Sequence, residues 1–156
     1  MIKTVCLTTN IIEQIKDIFR ENAILSEDDL LDRINSQAIV NYTNDSSSID
    51  AIALTENYSE FTTKRLCESM RYYATKKELS LFKSNYLEPL YKMNGVEIVA
   101  IANISGRKHA GKELVDYIKS NNDSILLYSL FSAESFWEEQ EFTCIEEYIY
   151  RWIKNK

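Results

Sequence analysis

Four basic side chains lie within six residues of a chain whose formal net charge is −6: Arg107, Lys108, His109 and Lys112. They follow the apolar run Val96–Ile104 and open an amphipathic run that ends near Ser120. This order predicts a buried strand, a tight turn and a helix. The first N–H groups of a helix have no internal partner and lie at the positive end of its dipole, so such a turn suits an anion such as phosphate. The alternative is a solvated basic loop that pairs with nearby Asp or Glu.

The glycines of the chain lie around the same stretch. All three, Gly95, Gly106 and Gly111, lie in it or directly before it, and the only proline, Pro89, stands just upstream. Glycine adopts positive φ and allows another group to approach the backbone closely. The sequence therefore concentrates its special backbone chemistry at the predicted anion site.

Length and composition predict a single domain over residues 1–156. With 156 residues and 45% apolar content, the chain needs neither disulfides nor a metal to be stable. No run approaches the roughly 20 apolar residues of a membrane span. Glu13 and Asp17 interrupt the segment where a signal peptide would be apolar. We therefore expect a cytoplasmic protein without membrane contact.

The cysteines and the overall charge exclude some further classes of protein. Cys6, Cys67 and Cys144 lie far apart and form no metal-ligand spacing, so we expect buried, reduced thiols and no metal site. The acidic balance argues against nucleic-acid binding, which requires neutralisation of phosphates. It leaves room for a small anionic ligand at the basic turn.

Hydrophobic periodicity predicts the elements that position this turn. Apolar and β-branched runs predict strands at Lys3–Thr8, Gln37–Thr43, Ile49–Thr55, Val96–Ile104, Ile125–Leu130 and, as two strands or one bent strand, Phe142–Ile145 and Tyr148–Ile153. Helical spacing predicts helices that begin at Asn10 (with Glu13 in an approximate capping box) and at Ser26 (with Asp29). Further helices are predicted at Thr62 to about Phe82, where Leu79 and Phe82 either continue the helix or begin a second one, at Gly106 or Lys108 to Ser120, and from Ser132. The apolar faces of the first two helices are predicted at Ile11, Ile15, Ile18 and Phe19, and at Leu30, Leu31 and Ile34. This order predicts a mixed α/β layer fold in which Val96–Leu130 forms a right-handed crossover between parallel strands.

Two stretches resemble the GNAT superfamily of acyl-CoA-dependent N-acetyltransferases. In Ile101–Lys119, RKHAGKELVDYIK follows the pattern Arg/Gln-x-x-Gly-x-Gly/Ala and a helix with paired aliphatics, with Gly111 as the last glycine. In Ala133–Phe142, AESFWEEQEF resembles A-x-x-F-Y-x-x-x-G-F. The order of the two stretches, with one strand between them, is also that of the family. The resemblance covers about a third of the chain and implies a GNAT-like α/β (α+β) fold with a central mixed sheet, helices on both faces and a strand–turn–helix cofactor site.

The chain departs from the family pattern at four positions. With Gly111 in register, His109 stands at the earlier glycine and Gly106 at the Arg/Gln position. A shift of one residue puts Arg107 in the Arg position but loses the match at Gly111. Trp137 stands where the family usually has a tyrosine that protonates the leaving thiolate, and Trp donates only an N–H. Glu141 stands at the glycine before the last strand.

The resemblance implies acetyl-CoA as cofactor and assigns roles to residues of this chain. Contacts with the cofactor are expected from Ile101, Ala102, Asn103, Arg107, Lys108, His109, Ala110, Gly111, Lys112 and Trp137. The pyrophosphate would lie on backbone N–H groups of Arg107 to Lys112, and the pantetheine arm along the strand. Glu97 is the expected general base, with a surface charge at a strand end as the alternative, and Tyr128 is the nearest tyrosine for the general acid.

The resulting function prediction is acetyl transfer from acetyl-CoA to a primary amine of a small molecule or protein, by direct attack. The first alternative is a GNAT-like domain that binds CoA or a protein partner without turnover. The second is an α/β domain whose basic turn binds another phosphate ligand, such as a nucleotide. The acceptor site is expected within Glu21–Asp50, where four acidic residues suit either a cationic acceptor or a solvated helix face: Glu27, Asp28, Asp29 and Asp32. Alternating Tyr148, Tyr150 and Trp152 suit either a homodimer interface or the core.

Overall fold

The computed structural model describes residues 1–58, 75–146 and 148–155. The predicted helix from Thr62 lies outside the described residues up to position 74, and so does Cys67. Within the described ranges, no helix has both the length and the apolar character of a membrane span.

Strands and helices follow one another along the described chain, several of them in consecutive pairs of one kind. The strands are β1 (Ile2–Cys6), β2 (Gln37–Tyr42), β3 (Ile49–Asn57), β4 (Gly95–Asn103), β5 (Ser124–Tyr128), β6 (Thr143–Glu146) and β7 (Ile149–Ile153). The helices are α1 (Thr9–Glu21), α2 (Glu27–Leu31), α3 (Lys76–Phe82), α4 (Glu88–Tyr91), α5 (Ala110–Ser120) and α6 (Glu134–Glu139). A π-helical turn, Lys83–Leu87, joins α3 to α4, and a 3-10 turn, Phe131–Ala133, precedes α6. The predicted α/β class is confirmed.

The described strands form a sheet in the order β1-β2-β3-β4-β5-β7-β6. Four neighbouring pairs are antiparallel: β1 with β2, β2 with β3, β5 with β7, and β6 with β7. The C-terminal segment was predicted to form either two strands or one bent strand. It forms two strands, β6 and β7. β4 and β5 are neighbours joined through α5, and the parallel orientation and right-handed crossover of this pair stay predictions.

The chain divides into two compact units, and each draws on distant parts of the sequence. Unit 1 is Met1–Glu56 with Ile98–Ser120, and unit 2 is Asn57–Glu97 with Asn121–Lys156. The single domain predicted from length stays a prediction.

The core of unit 1 contains the inward face of α1. Ile11, Ile12, Ile15 and Phe19 are buried there, whereas Ile18 is partly buried at the margin. The predicted helix start at Asn10 with Glu13 is wrong. Thr8 is the cap, because its backbone is extended and its hydroxyl oxygen accepts the amide of Ile11 at 3.3 Å.

The second helix confirms its predicted start and corrects its predicted face. Ser26 and Asp29 form a reciprocal capping box, with side chain to backbone distances of 3.1 and 3.3 Å. Leu30 is fully buried, but Leu31 and Ile34 are 42% and 36% exposed. The predicted three-residue apolar face is therefore wrong, because α2 has only five residues and offers one inward position.

The prediction of buried thiols is wrong for the two described cysteines. Cys6 and Cys144 are free and exposed. They lie on β1 and β6, the first and last strands of the described sheet, so each of these strands has a neighbouring strand on one edge only.

Unit 2 has its own core around the buried residues Phe82, Leu87, Leu90, Leu126 and Ile149. Tyr150, one of the alternating aromatics, is also buried, and its hydroxyl donates to Glu134 Oε1 at 3.2 Å. This places Tyr150 in the core, as one of the two predicted alternatives states.

Gly95 begins β4 at a position that has no room for a side chain. A Cβ there would meet the Ser124 carbonyl oxygen at 2.6 Å and the Tyr58 ring at 2.8 Å. Tyr58 and Ser124 also share a hydrogen bond of 2.9 Å between their hydroxyl groups. The absence of a Cβ at Gly95 therefore lets β4 approach this pair.

Replacing Gly95 with Ala is expected to destabilise the protein by about 1–3 kcal/mol, because backbone and ring must move to admit one methyl group. Urea unfolding followed by circular dichroism measures this change. The exposed Lys92→Ala is the control and should stay within about 0.5 kcal/mol of the wild type. Equal midpoints for the two variants would contradict the close packing at Gly95.

Candidate functional site

The predicted strand, turn and helix are present, with a turn of six residues between β4 and α5, called here the 104–109 turn. Asn103, the last residue of β4, closes it with its side chain. Its Oδ1 accepts the Gly106 N–H at 2.9 Å, and its Nδ2 donates to the Arg107 carbonyl at 2.8 Å. The predicted helix start at Gly106 or Lys108 is wrong, because Gly106 and His109 have φ of 80° and 68°, which a right-handed helix does not accommodate.

Asp50, on β3, holds the beginning of this turn from the neighbouring part of unit 1. Its backbone carbonyl accepts the N–H groups of Ile104 and Ser105 at 2.7 and 3.2 Å. Its Oδ1 accepts the Ser105 hydroxyl at 2.6 Å, and its Oδ2 accepts Arg107 Nε at 2.7 Å. The residue is only 4% exposed. Backbone and side chain of one buried residue thus fix three residues of the turn.

Arg107 connects the turn to α5. Its Nη1 and Nη2 donate to the two carboxylate oxygens of Glu113 at 3.0 and 2.8 Å, a bidentate pair. The buried Asn41 side chain, on β2, donates to the same carboxylate at 2.8 Å and to the Ala110 carbonyl at 3.2 Å. We call Asn41, Asp50, Ser105, Arg107 and Glu113 the polar network. It joins β2, β3, the turn and α5.

The polar network is ionised at neutral pH. The hydrogen bonds from Arg107 and then Asn41 lower the pKa of Glu113 to about 2. The Ser105 hydroxyl, followed by Arg107, holds the pKa of Asp50 below its usual range. The same carboxylates, Glu113 first, raise the pKa of Arg107. Two carboxylates and one guanidinium give the network a net negative charge, so the positive charge of Arg107 is already compensated within it.

The other basic residues of the turn differ in their contacts. Lys112 forms an ion pair with Asp116 at 2.6 Å, one helical turn further on. Lys108 and His109 are exposed. The alternative interpretation of a basic loop that pairs with carboxylates is thus correct for Arg107 and Lys112. The features of this turn that would attract an anion are the exposed ammonium group of Lys108 and the N-terminus of α5.

The start of α5 presents backbone N–H groups. The Ala110 N–H donates to the Arg107 carbonyl at 3.2 Å, and the Glu113 N–H donates to the His109 carbonyl at 2.9 Å. Gly111 and Lys112 lie between them in the first turn of the helix, where N–H groups have no intrahelical acceptor. Ala110 is fully buried, so its side chain packs in the core instead of facing a ligand.

His109 and Glu141 stand at two positions where the family pattern has glycine. Both have a backbone conformation that is typical of glycine. His109 and Glu141 each have φ of 68°. This left-handed conformation costs an L-residue roughly 1–2 kcal/mol. Both residues therefore have a backbone conformation that glycine adopts without this cost.

Nine of the ten predicted cofactor contacts belong to unit 1. The tenth, Trp137, belongs to unit 2, and so do the predicted acid–base residues Glu97 and Tyr128. On β4, Ile101 is partly buried, Ala102 is 8% exposed and Asn103 is exposed. In unit 2, Trp137 is 3% exposed and packs with ring centroids 4.9 Å from Phe136 and 5.1 Å from Phe142. Trp137 is therefore a core residue of unit 2.

The predicted acid–base residues have contrasting environments within unit 2. Glu97 is 1% exposed, so the alternative of a surface charge at a strand end is wrong; the reason is that β4 is covered on both faces. The negative charge of Glu97 adds to the rise in the pKa of Tyr58, which burial dominates. Tyr128, the last residue of β5, is 46% exposed, with its ring centroid 6.1 Å from that of Tyr148.

Sequence reasoning missed Asn41, Asp50 and Glu113. Asp50 is separated from Arg107 by 57 positions, and it was predicted only as part of a strand and as the end of the acceptor segment Glu21–Asp50. Asn41 is separated from Glu113 by 72 positions. The one available signal was local: Glu113 follows the basic cluster by one residue, so a carboxylate was close to these cations in the sequence.

Solved structures with similar folds cover nearly the whole chain. Arabidopsis thaliana NAA60 in complex with acetyl-CoA has a TM-score of 0.57, 12% sequence identity and coverage of 99% of this chain and 100% of that chain. Tetrahymena GCN5 has a TM-score of 0.60 and 12% sequence identity, and the match covers 98% of this chain and 96% of that chain. An acetyltransferase of the GNAT family from Staphylococcus aureus Mu50 has a TM-score of 0.55 and 14% sequence identity, with coverage of 97% of this chain and 98% of that chain. The predicted GNAT-like fold is confirmed. No family model and no curated protein sequence matches the chain.

Replacing His109 with Gly is expected to stabilise the protein by about 0.5–1 kcal/mol. Relief of the left-handed conformation contributes roughly 1–2 kcal/mol, and the added freedom of the unfolded chain costs about 0.4–1 kcal/mol. The neighbouring Lys108→Gly is the matched control, because Lys108 has no positive φ. It should lose stability in the same thermal unfolding measurement. A loss in both variants would contradict strain at His109.

Replacing Glu113 with Gln tests the ionised network through pH. The wild-type carboxylate has a pKa of about 2 folded and an ordinary value of 4.5, so its contribution is complete above pH 4.5 and disappears as the pH falls through 2. At pH 7 the variant should be less stable than the wild type by about 0.5–1 kcal/mol, a small value because solvent screens the exposed Arg107–Glu113 ion pair. Between pH 5 and 2 the variant should lose less stability than the wild type loses. Urea unfolding at several pH values measures both effects. The exposed Glu139→Gln is the control, and parallel pH profiles for wild type and Glu113→Gln would refute the assignment.

Proposed function

We propose that this chain is a divergent member of the GNAT superfamily that transfers the acetyl group of acetyl-CoA to a primary amine of a small molecule or protein. The observation that carries the proposal is the fixed 104–109 turn that leads into the first N–H groups of α5. The similarity in fold to NAA60, which was solved with acetyl-CoA, supports the same cofactor class. The positive φ of His109 and Glu141 supports it further, because the substituted glycine positions keep their backbone shape.

The residues of the turn fit the pyrophosphate of such a cofactor. Anions are favoured at a helix N-terminus by its N–H groups and its dipole. In this proposal the backbone of Gly111 and Lys112 donates to the phosphates, the exposed Lys108 adds charge, and His109 lies beside them. Arg107 holds the turn through Asp50 and Glu113. The backbone of Ile101, Ala102 and Asn103 on β4 would contact the pantetheine arm.

When bound, acetyl-CoA supplies an acyl group activated as a thioester. The acceptor amine must lose a proton to become a nucleophile, and we propose the carboxylate of Glu97 as its acceptor, directly or through water. A base buried on a strand is held in a fixed orientation. Tyr128, with an O–H group and a ring that is 46% exposed, is the proposed proton donor, since Trp137 has no hydroxyl.

The second candidate is a GNAT-like domain that binds CoA or a protein partner without turnover. The observation that favours it is Trp137, which stands at the family's tyrosine position and is packed between Phe136 and Phe142. Both candidates require the same turn, so measurement of CoA binding does not separate them. Measurement of acetyl transfer to an amine separates them.

The class of acceptor amine is not decided by the acidic residues of α2. Asp29 uses its carboxylate in the capping box, and Glu27 lies 3.7 Å from Lys16 in an ion pair. These contacts favour a solvated helix face over an acceptor site for those two residues. The acceptor segment Glu21–Asp50, the single domain, the cytoplasmic location and the pairing of two copies stay predictions.

Thermal unfolding with and without acetyl-CoA, CoA, ATP and phosphate tests the proposal. Ligand at about 100 times its dissociation constant should stabilise the protein by roughly 2.7 kcal/mol. Lys108→Ala should weaken binding of acetyl-CoA about threefold through the lost charge, whereas the exposed Lys77→Ala should leave it unchanged. No shift at millimolar acetyl-CoA would overturn the proposal.

Turnover on a panel of primary amines separates the enzyme from the binding domain. Glu97→Gln should bind acetyl-CoA as tightly as the wild type but lose about 100-fold or more in kcat, because the proton acceptor is removed. Binding without acetyl transfer to any amine would favour the second candidate. Full activity of Glu97→Gln would refute the role of Glu97.

A further inference from the structure

We infer that Asp50 is a positioning residue for the cofactor: it acts through Arg107 to hold the 104–109 turn in its binding conformation before the ligand arrives. This inference rests on the proposed function, because it assigns the turn to the pyrophosphate. Asp50 itself lies on β3, in a segment far from the turn in sequence, and is not expected to touch the cofactor.

The contacts of Asp50 are unusual for a strand residue. Its carbonyl oxygen and both carboxylate oxygens are directed at Ile104, Ser105 and Arg107, at distances from 2.6 to 3.2 Å. The Ser105 hydroxyl oxygen in turn accepts the Arg107 N–H at 3.1 Å. Backbone and side chain of Arg107 are therefore both tied, directly or through Ser105, to one buried carboxylate.

The guanidinium of Arg107 is committed to this role. Nε donates to Asp50, and Nη1 and Nη2 donate to Glu113. The planar arrangement of these donors fixes the distance between β3 and the first turn of α5. Since Asp50 and Glu113 together compensate more than the charge of Arg107, the attraction for a phosphate group comes from Lys108 and the α5 N–H groups.

A turn that is already ordered costs less entropy when it binds its ligand. Six residues without regular structure would otherwise have to be fixed during binding. Loss of the Asp50 carboxylate should therefore weaken binding of the cofactor while the rest of unit 1 remains folded. A residue with a purely structural role would instead lower the stability of the whole unit and leave the affinity of the folded protein unchanged.

The main variant is Asp50→Asn, which preserves size and can still accept the Ser105 hydroxyl but removes the charge that faces Arg107. The matched control is Asp45→Asn, because Asp45 is a hydrogen-bonded carboxylate in the same hairpin whose contacts are to Thr43 and Ser47. Ser105→Ala is the second variant. It removes one of the two side-chain contacts of Asp50.

Two measurements are made on each full-length variant: calorimetric titration with CoA, and amide hydrogen exchange without ligand. We expect Asp50→Asn to bind CoA about tenfold more weakly, equivalent to ~1.4 kcal/mol, and Asp45→Asn to match the wild type. Exchange over residues 104–112 should be faster in Asp50→Asn, whereas exchange in α1 should match the wild type. A double variant with Arg107→Gln should bind no more weakly than Arg107→Gln alone, because both changes break the same link.

The possible results are distinct. Wild-type affinity for CoA in Asp50→Asn would overturn the inference, and so would faster exchange throughout unit 1 with unchanged affinity. Additive losses in the double variant would overturn the route through Arg107. If Asp50→Asn does not fold, Ser105→Ala is measured in its place, with an expected loss of about threefold in CoA affinity; an unchanged affinity would overturn the inference. If the wild type does not bind CoA, the proposed function fails, whereas the exchange data still decide whether Asp50 orders the turn.

Discussion

The ion pairs of Arg107 with Asp50 and Glu113 are the interaction on which the candidate site depends. They connect a strand, a turn and a helix that the chain brings together from positions 50 to 113. Asp50 is almost fully buried, so its charge needs compensation inside the protein. Arg107 supplies this compensation together with the Ser105 hydroxyl. The same hydrogen bonds from Ser105 and Arg107 to Asp50 also hold the backbone of the turn in place.

This arrangement changes the meaning of the basic cluster. A cluster of cations at the start of a helix opposes the dipole, and a bound anion is the simplest explanation for it. In this protein Arg107 and Lys112 are compensated by carboxylates of unit 1, so the cluster is less positive than its composition suggests. What remains for an anion is the helix start itself, with Lys108 beside it. In the proposed function, binding of an anion would therefore depend more on backbone geometry than on side-chain charge.

The two substituted glycine positions follow the same logic. His109 and Glu141 have the left-handed backbone that glycine adopts without cost, and this chain adopts it with residues that do not favour it. Such conformations persist only where the surroundings determine them strongly. At His109 these surroundings include the Ala110 and Glu113 N–H groups, which donate to the carbonyls of Arg107 and His109.

The sequence alone determined the α/β class, the strands β2 and β3, the buried strand β4 and the amphipathic helix that follows it. These depend on local periodicity, which a single stretch carries by itself. It also placed a tight turn between this strand and this helix, from the glycines and the basic cluster. Only the tertiary structure decided that Asp50 and Asn41 complete the site, that Glu97 is buried, and that α5 begins at Ala110. The physical reason is that charge compensation, burial and backbone strain depend on neighbours in space, and the neighbours of this turn lie up to 72 positions away in the chain.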